Sequence, residues 1–149
     1  MRVSIAGASG YVGGELLRIL LRHPEFEIAS ATSERHAGAF LHQVHPHLRG
    51  LSETRFVALE NVEPADVLIL ALPHGEVAGR LAHFEGLADF ILDCSADFRL
   101  DDPVRYAAVY GKEHPCPERL GDFVYGLPEL HRERLRGARR VSGVGCNAT

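Results

Sequence analysis

Two short stretches of this chain carry residue types at spacings that can do chemistry. The first is GASGYVGG at residues 7–14, where Gly7, Gly10 and Gly13 recur at every third position directly after the apolar run 3–6. Glycines so spaced let a chain turn sharply, bring its backbone against a pyrophosphate and pack the next helix tightly on the strand. The helix N-terminus then offers unpaired N–H groups and the positive end of its dipole to the phosphates. The second is VSGVGCNAT at residues 141–149, where a strand-like run and a turn bracketed by Gly143 and Gly145 lead to Cys146. A thiol placed where a helix begins has its thiolate stabilised, which makes it a nucleophile at neutral pH. Beside a nicotinamide, such a thiolate attacks an acyl carbon, and hydride passes between the cofactor and the resulting thioester or thiohemiacetal. A buried cysteine in a turn has the same spacing, so the residues alone leave both readings open.

The end of the second predicted strand bears on which dinucleotide is bound. An NAD site places an acidic residue there for the ribose hydroxyls. Here the strand runs out as ATSERHAG, with Thr32, Ser33 and Arg35 in that place. A hydroxyl and a guanidinium suit a 2′-phosphate, because arginine grips phosphate with a two-pronged fork. The expected cofactor is therefore NADP, although Glu34 in a shifted register can serve as the acidic ribose partner. His42, His45 and His47 crowd one stretch, HQVHPHLRG, around Pro46. A transition metal needs convergent ligands with supporting partners, and no further ligand stands nearby, so no metal is expected. Cys94 falls on a predicted buried strand and reads as a small core residue. Cys116, between Pro115 and Pro117, reads as part of a surface loop.

The elements that must position these groups follow from the pattern of apolar residues. Residues 3–6 and 27–31 read as strands, with 54–58 a weaker third. Residues 66–72, DVLILAL, are apolar on both faces, the mark of a central parallel strand. Residues 90–93 and 140–143 are further strands. Leu16, Leu17, Leu20 and Leu21 recur at helix spacing before a stop at His23 and Pro24. Helices are also expected over 76–84, 103–110 and 129–136. Strands alternating with helices predict a doubly wound, mostly parallel α/β sheet of the Rossmann type.

Composition sets outer bounds. The 149 residues match one domain, and 46% hydrophobic with 24% charged residues describes a globular chain. A net charge of −4 argues against a nucleic-acid partner. No apolar run is long enough to cross a bilayer, and the N-terminus lacks the pattern of a signal peptide. Three widely spaced cysteines make no disulfide framework, so the expectation is a reducing cytoplasm. A tyrosine–lysine pair four residues apart, the device of short-chain epimerases and reductases, is absent: Lys112 is the one lysine and Ala108 precedes it.

Taken together, GASGYVG, HPHLRG, ALPHG (71–75), DCSADFRL (93–100), VYGLPEL (124–130) and GCNAT resemble the N-acetyl-γ-glutamyl-phosphate reductases. That family belongs with the aspartate-semialdehyde dehydrogenases, and the resemblance runs along the whole chain. It implies an NADP-binding domain over 1–149, with the substrate and dimerisation domain lying beyond it. The implied reaction is reduction of an acyl phosphate to a semialdehyde with release of phosphate. Cys146 would form the thioester. Gly7, Ser9, Gly10, Tyr11, Val12 and Gly13 would make the pyrophosphate loop, and Ser33 and Arg35 would face the 2′-phosphate. Leu72, Pro73 and His74 would line the cofactor cleft. Arg99 and Asn147 fall on the side of the acyl phosphate; for Arg99 the structural alternative is a pair with Asp101 or Asp102. Asn147 and Ala148 after the cysteine, in place of an aromatic residue and a proline, resemble the branch that reduces aminoadipyl or glutamyl phosphate held on an acidic amino-group carrier protein. That branch makes lysine and sometimes arginine. Family members are about twice this length, so the 149 residues are expected to bind NADP(H) without turnover, and the full-length protein to be a homo-oligomer. The rival expectation is a stand-alone dinucleotide-sensing module.

Overall fold

Residues 1–146 are described by the computed structural model. Among them, strands β1 (Arg2–Ala6), β2 (Glu27–Ala31), β3 (Val67–Leu70), β4 (Phe90–Asp93), β5 (Val124–Tyr125) and β6 (Arg140–Ser142) form one sheet. Its order is β2-β1-β3-β4-β6-β5, and every neighbouring pair is parallel. The helices are α1 (Tyr11–Leu20), α2 (Leu41–Val44), α3 (Leu81–Glu85), α4 (Pro103–Tyr110) and α5 (Pro128–Leu135). The doubly wound sheet expected from the sequence is thus present. No described helix is long and apolar enough to cross a membrane.

β3 shows why an uninterrupted apolar run marks the centre of such a sheet. Leu68 and Leu70 enter one core with Leu81 and Phe84 of α3, Phe98 and Phe123. Val67 and Ile69 enter the other with Leu17 and Leu20 of α1, Leu48 and Phe56. A strand covered on both faces has no polar side, and each side chain so buried stabilises the fold by roughly 1.5–3 kcal/mol.

The chain runs from β1 outward to β2, then returns past β1 to β3, so the winding reverses between β1 and β3. A crevice opens at the carboxyl ends of the strands at such a point. The register makes that edge level: Ala6 pairs with Leu70, Leu70 with Asp93, and Asp93 with Ser142. The loops that start at Gly7, Ala71, Cys94 and Gly143 therefore leave the sheet along one line.

Three expectations need correction. Residues 54–58 make no strand: Val57 bridges Thr32 in parallel while Arg55 bridges Phe40 antiparallel, and a segment divided between two partners builds no ladder. The helix expected over 76–84 is a turn, a 3-10 stretch at Ala78–Arg80 and then α3, because the amides of Gly75, Val77 and Ala78 are held by a carboxylate from elsewhere, Asp97. β5, two residues long, carries no periodicity and was not foreseen.

Candidate active site

Gly7, the first residue after β1, is anchored to the end of β2: its N–H donates to Thr32 Oγ1 at 3.1 Å, and Ala8 N–H donates to the Thr32 carbonyl at 2.8 Å. Gly7 has φ +80°, and a Cβ there would lie 2.4 Å from the Ala71 carbonyl oxygen, so this position admits only glycine. At Gly13 a Cβ would sit 2.5 Å from Ala8 Cα. The third glycine thus lets α1 press on the loop itself rather than on the strand. α1 starts after Gly10 with no side-chain cap and no acidic residue in its first turn, which leaves its leading amides open to an anion. Tyr11 and Val12 stand exposed at the same end, by 92% and 51%.

Ser33 donates to Ser9 Oγ at 2.8 Å, which joins the glycine loop to the end of β2. Arg35 is exposed and enters none of the ion pairs among the described residues. Glu34, the competitor for this site, is engaged elsewhere: its Oε1 accepts from Leu59 N–H at 2.7 Å. A group that sequence reasoning missed lies under the loop. His45 is buried; its Nε2–H donates to the Ala8 carbonyl at 2.9 Å, and its ring covers Gly14. Of its neighbours, His47 Nε2 is 3.4 Å from the Gly14 carbonyl and His42 stacks on Phe40. His45 and His47 brace the loop, His42 does not reach it, and among the described residues no cluster of three metal-ligating side chains forms.

Across the crevice, Leu72 is half-buried beside Gly7, and Pro73 and His74 are exposed. His74 Nδ1 is 2.7 Å from Oδ1 of Asp97, a carboxylate with no solvent exposure. Asp97 was not anticipated either; nothing in the spacing of SADFRL announces a partner more than twenty residues earlier.

Arg99 does not pair with Asp101 or Asp102. Its Nε donates to the Gly143 carbonyl at 2.9 Å and its Nη2 to the Cys94 carbonyl at 3.0 Å, while Asp102 caps α4 through Val104 N–H and Arg105 N–H. Arg99 also lines a cavity of about 490 Å³ together with Asp101, Arg105, Tyr125, Arg134 and Gly145. Three guanidinium groups against one carboxylate make this wall cationic, one residue from Cys146.

The three thiols differ. Cys146 is exposed in the turn after β6. Cys94 is half-buried against one core, where burial and then the Asp93 charge push its pKa up to about 11. Cys116 is not in a free surface loop as expected: it is half-buried against the other core, donates to the Ala78 carbonyl, and has its pKa raised by burial. Thiolate chemistry is suppressed at both. Asn147, and the helix expected to begin after Cys146, lie outside the described residues.

Residues 2–138 match the family described as "Semialdehyde dehydrogenase, NAD binding domain". The chain belongs to this family. Among semialdehyde dehydrogenase relatives it is 52% identical over 147 residues to LysW-L-2-aminoadipate 6-phosphate reductase of Deinococcus radiodurans, covering 99% of this chain and 42% of that protein. It is 50% identical over 149 residues to a putative LysW-L-2-aminoadipate/LysW-L-glutamate phosphate reductase of Pyrococcus horikoshii, covering 100% and 44%. The solved structure of aspartate semialdehyde dehydrogenase II from Vibrio cholerae, complexed with ASA, superposes with a TM-score of 0.60 at 19% identity, covering 97% of this chain and 42% of that one. That likeness bears on the fold alone. The chain thus spans under half the length of these relatives, and what it carries is the NAD(P)-binding domain of the semialdehyde dehydrogenase family.

Proposed function

We propose that this chain is the dinucleotide-binding and nucleophile-bearing part of an NADPH-dependent reductase that converts an acyl phosphate to a semialdehyde. The observation that carries this is the level carboxyl edge of the sheet. β1 and β6 end in register three strand spacings apart, about 14 Å at roughly 4.8 Å per strand. The glycine loop leaves one and the Cys146 turn leaves the other, so a ligand that joins them is elongated, as a dinucleotide is.

The residues fit the cofactor. The uncapped start of α1, with Gly7, Ser9, Gly10, Tyr11, Val12 and Gly13 around it, would hold the pyrophosphate. Ser33 and Arg35 would take the 2′-phosphate, which favours NADP over NAD because Glu34 is engaged by Leu59 N–H. Leu72, Pro73 and His74 would line the nicotinamide side. When bound, NADPH supplies the hydride. Cys146 would attack the carbonyl carbon, form the C–S bond and expel phosphate; it leaves again as thiolate once the thioester is reduced to the aldehyde. Arg99, with Nη1 free of protein partners among the described residues, would meet the departing phosphate with Asn147.

The substrate proposed is aminoadipyl or glutamyl phosphate carried on an acidic amino-group carrier protein, in lysine and sometimes arginine synthesis in the cytoplasm. The substrates named for these relatives and the Asn147–Ala148 pair support this over free N-acetyl-γ-glutamyl phosphate. Under half of the relatives' length is present, without the substrate and dimerisation domain that the resemblance implies, so we propose that these 149 residues bind cofactor without turning over and that the longer protein is a homo-oligomer.

Calorimetric titration with NADPH and with NADH, on the wild type and an Arg35→Ala variant, tests the reading. NADPH should bind more tightly, and Arg35→Ala should cost it roughly tenfold with NADH unaffected. Equal affinity for the two nucleotides, unchanged by the substitution, rejects the NADP assignment; binding of neither by a folded chain rejects the dinucleotide site.

A further inference from the structure

The segment 93–99 grips both functional loops. Asp97, at 0% exposure, accepts Gly75 N–H at 2.7 Å on Oδ1, where His74 Nδ1 also lies at 2.7 Å; on Oδ2 it accepts Val77 N–H and Ala78 N–H, each at 3.0 Å. A carboxylate this deeply buried persists only while its lone pairs are filled. All four donors come from residues 74–78, so a shift of that loop strips them together. Two residues further on, Arg99 holds the carbonyls of Gly143 and Cys94. The segment between is stiffened from its root in β4. Asp97 N–H donates to Ser95 Oγ at 3.1 Å, and Ser95 donates to Asp93 through both its N–H and its hydroxyl, each at 2.8 Å. His74 adds a second line of contact, packing on Tyr110, which lines the arginine-walled cavity.

We propose that residues 93–99 are a brace that sets the loop 73–78 against the turn carrying Cys146, with Asp97 and Arg99 as positioning residues at its two ends. The inference rests on the cofactor and nucleophile reading above and adds to it how the two halves of the site are kept in register. Neither residue acts on the reacting atoms in this role. Each acts through the backbone it holds, and His74 is the exposed partner whose bond reports whether the first grip is closed.

The test compares the wild-type chain with Asp97→Asn, His74→Phe and Arg99→Met variants by amide hydrogen exchange, NADPH calorimetry and the rate of alkylation of Cys146. Whichever way its amide turns, asparagine sets an NH2 against a backbone N–H of the loop, while phenylalanine keeps the packing on Tyr110 and deletes only the Nδ1 bond. In Asp97→Asn, exchange over 73–78 should rise at least about tenfold, the order expected for loss of charge-assisted bonds. Because the brace is one body, exchange over 143–146 and the alkylation rate of Cys146 should change too. Arg99→Met should loosen 143–146 and, more weakly, 73–78; His74→Phe should give a smaller form of the Asp97→Asn pattern and serves if that variant does not fold. Loosening confined to the loop next to each substitution overturns the brace, as does uniform acceleration across all strands. If the wild type binds neither nucleotide yet the exchange couples as described, the cofactor reading fails and the brace stands. If the wild type binds NADPH and all variants bind equally, with 73–78 unmoved, the brace fails and the cofactor reading stands.

Discussion

Replacing Asp93 by asparagine should remove one specific pH dependence from the folding stability. Asp93 ends β4 with its carboxyl fully buried. Burial pushes its pKa from 3.8 up to about 6; the two bonds from Ser95 pull the other way, the Asp97 charge adds to the rise, and the Arg99 charge opposes it. At about 1.36 kcal/mol per pH unit, the gap between those two values is worth about 3 kcal/mol. The direction follows from which state holds the proton more tightly, and here it is the folded one. The stabilisation from the neutral carboxyl is therefore complete below about pH 4, shrinks as pH rises towards about 6, and is gone above that. The amide in Asp93→Asn does not titrate and keeps an acceptor for Ser95 N–H. Urea unfolding of both chains at several values from pH 4 to 8 gives the assay, because titrating groups that do not sense the Asp93 charge cancel in the difference between them. The variant should gain on the wild type by roughly 2 kcal/mol over that interval, the rest of the change lying below pH 4, and nearly all of it should appear below pH 7. A difference that stays constant with pH, or that moves the other way, refutes the assignment of a protonated buried carboxyl.

Gly7→Ala should cost at least about 3 kcal/mol, from left-handed backbone strain plus overlap with the Ala71 carbonyl, and lower the midpoint of thermal unfolding by roughly 6–12 °C. Gly38→Ala, with φ +86° but open space around it, should cost only about 1 kcal/mol; equal losses would show that the overlap does not matter. Glu85→Gln should destabilise by about 1–3 kcal/mol at pH 7, because Glu85 accepts from both Arg119 and Arg140. The Arg119 bond leads the lowering of its pKa, so the penalty should fade as pH falls through and below the ordinary 4.5; a penalty unchanged at pH 3 contradicts this. Iodoacetamide at pH 8, followed by peptide mass spectrometry, should modify Cys146 well before Cys94 and Cys116, both of which burial disfavours as thiolates. Comparable rates at the three would leave Cys146 without the standing of a nucleophile.

The central strands and the glycine loop between β1 and α1 were legible because each is local. β3 announces itself by apolar residues on both faces, and G-x-x-G-x-x-G between a strand and a helix allows few other uses. The weak strand at 54–58 failed for the complementary reason: its β-like composition was real, but two different partners claimed single residues of it. Histidines 42, 45 and 47 looked like one cluster in sequence and separated in space, with His45 turned under the glycine loop. Cys116 looked exposed between two prolines and is half-buried against the core.

What the sequence by itself determined is chemical identity at positions where local geometry admits few residues: the glycines of the first loop, the hydroxyl and guanidinium after β2, and the cysteine beyond the last strand. Family membership follows from the same short motifs. What only the tertiary structure decided is which groups answer one another across the crevice. Asp97 meets His74 and three amides, Arg99 holds two carbonyls and neither of the neighbouring aspartates, and Glu34 turns to Leu59. Apart from the short reach of Arg99 back to Cys94, those bonds join segments about twenty to more than forty residues apart. No local periodicity encodes them, because they exist only once parallel strands, paired in register, bring the ends of β1, β3, β4 and β6 level.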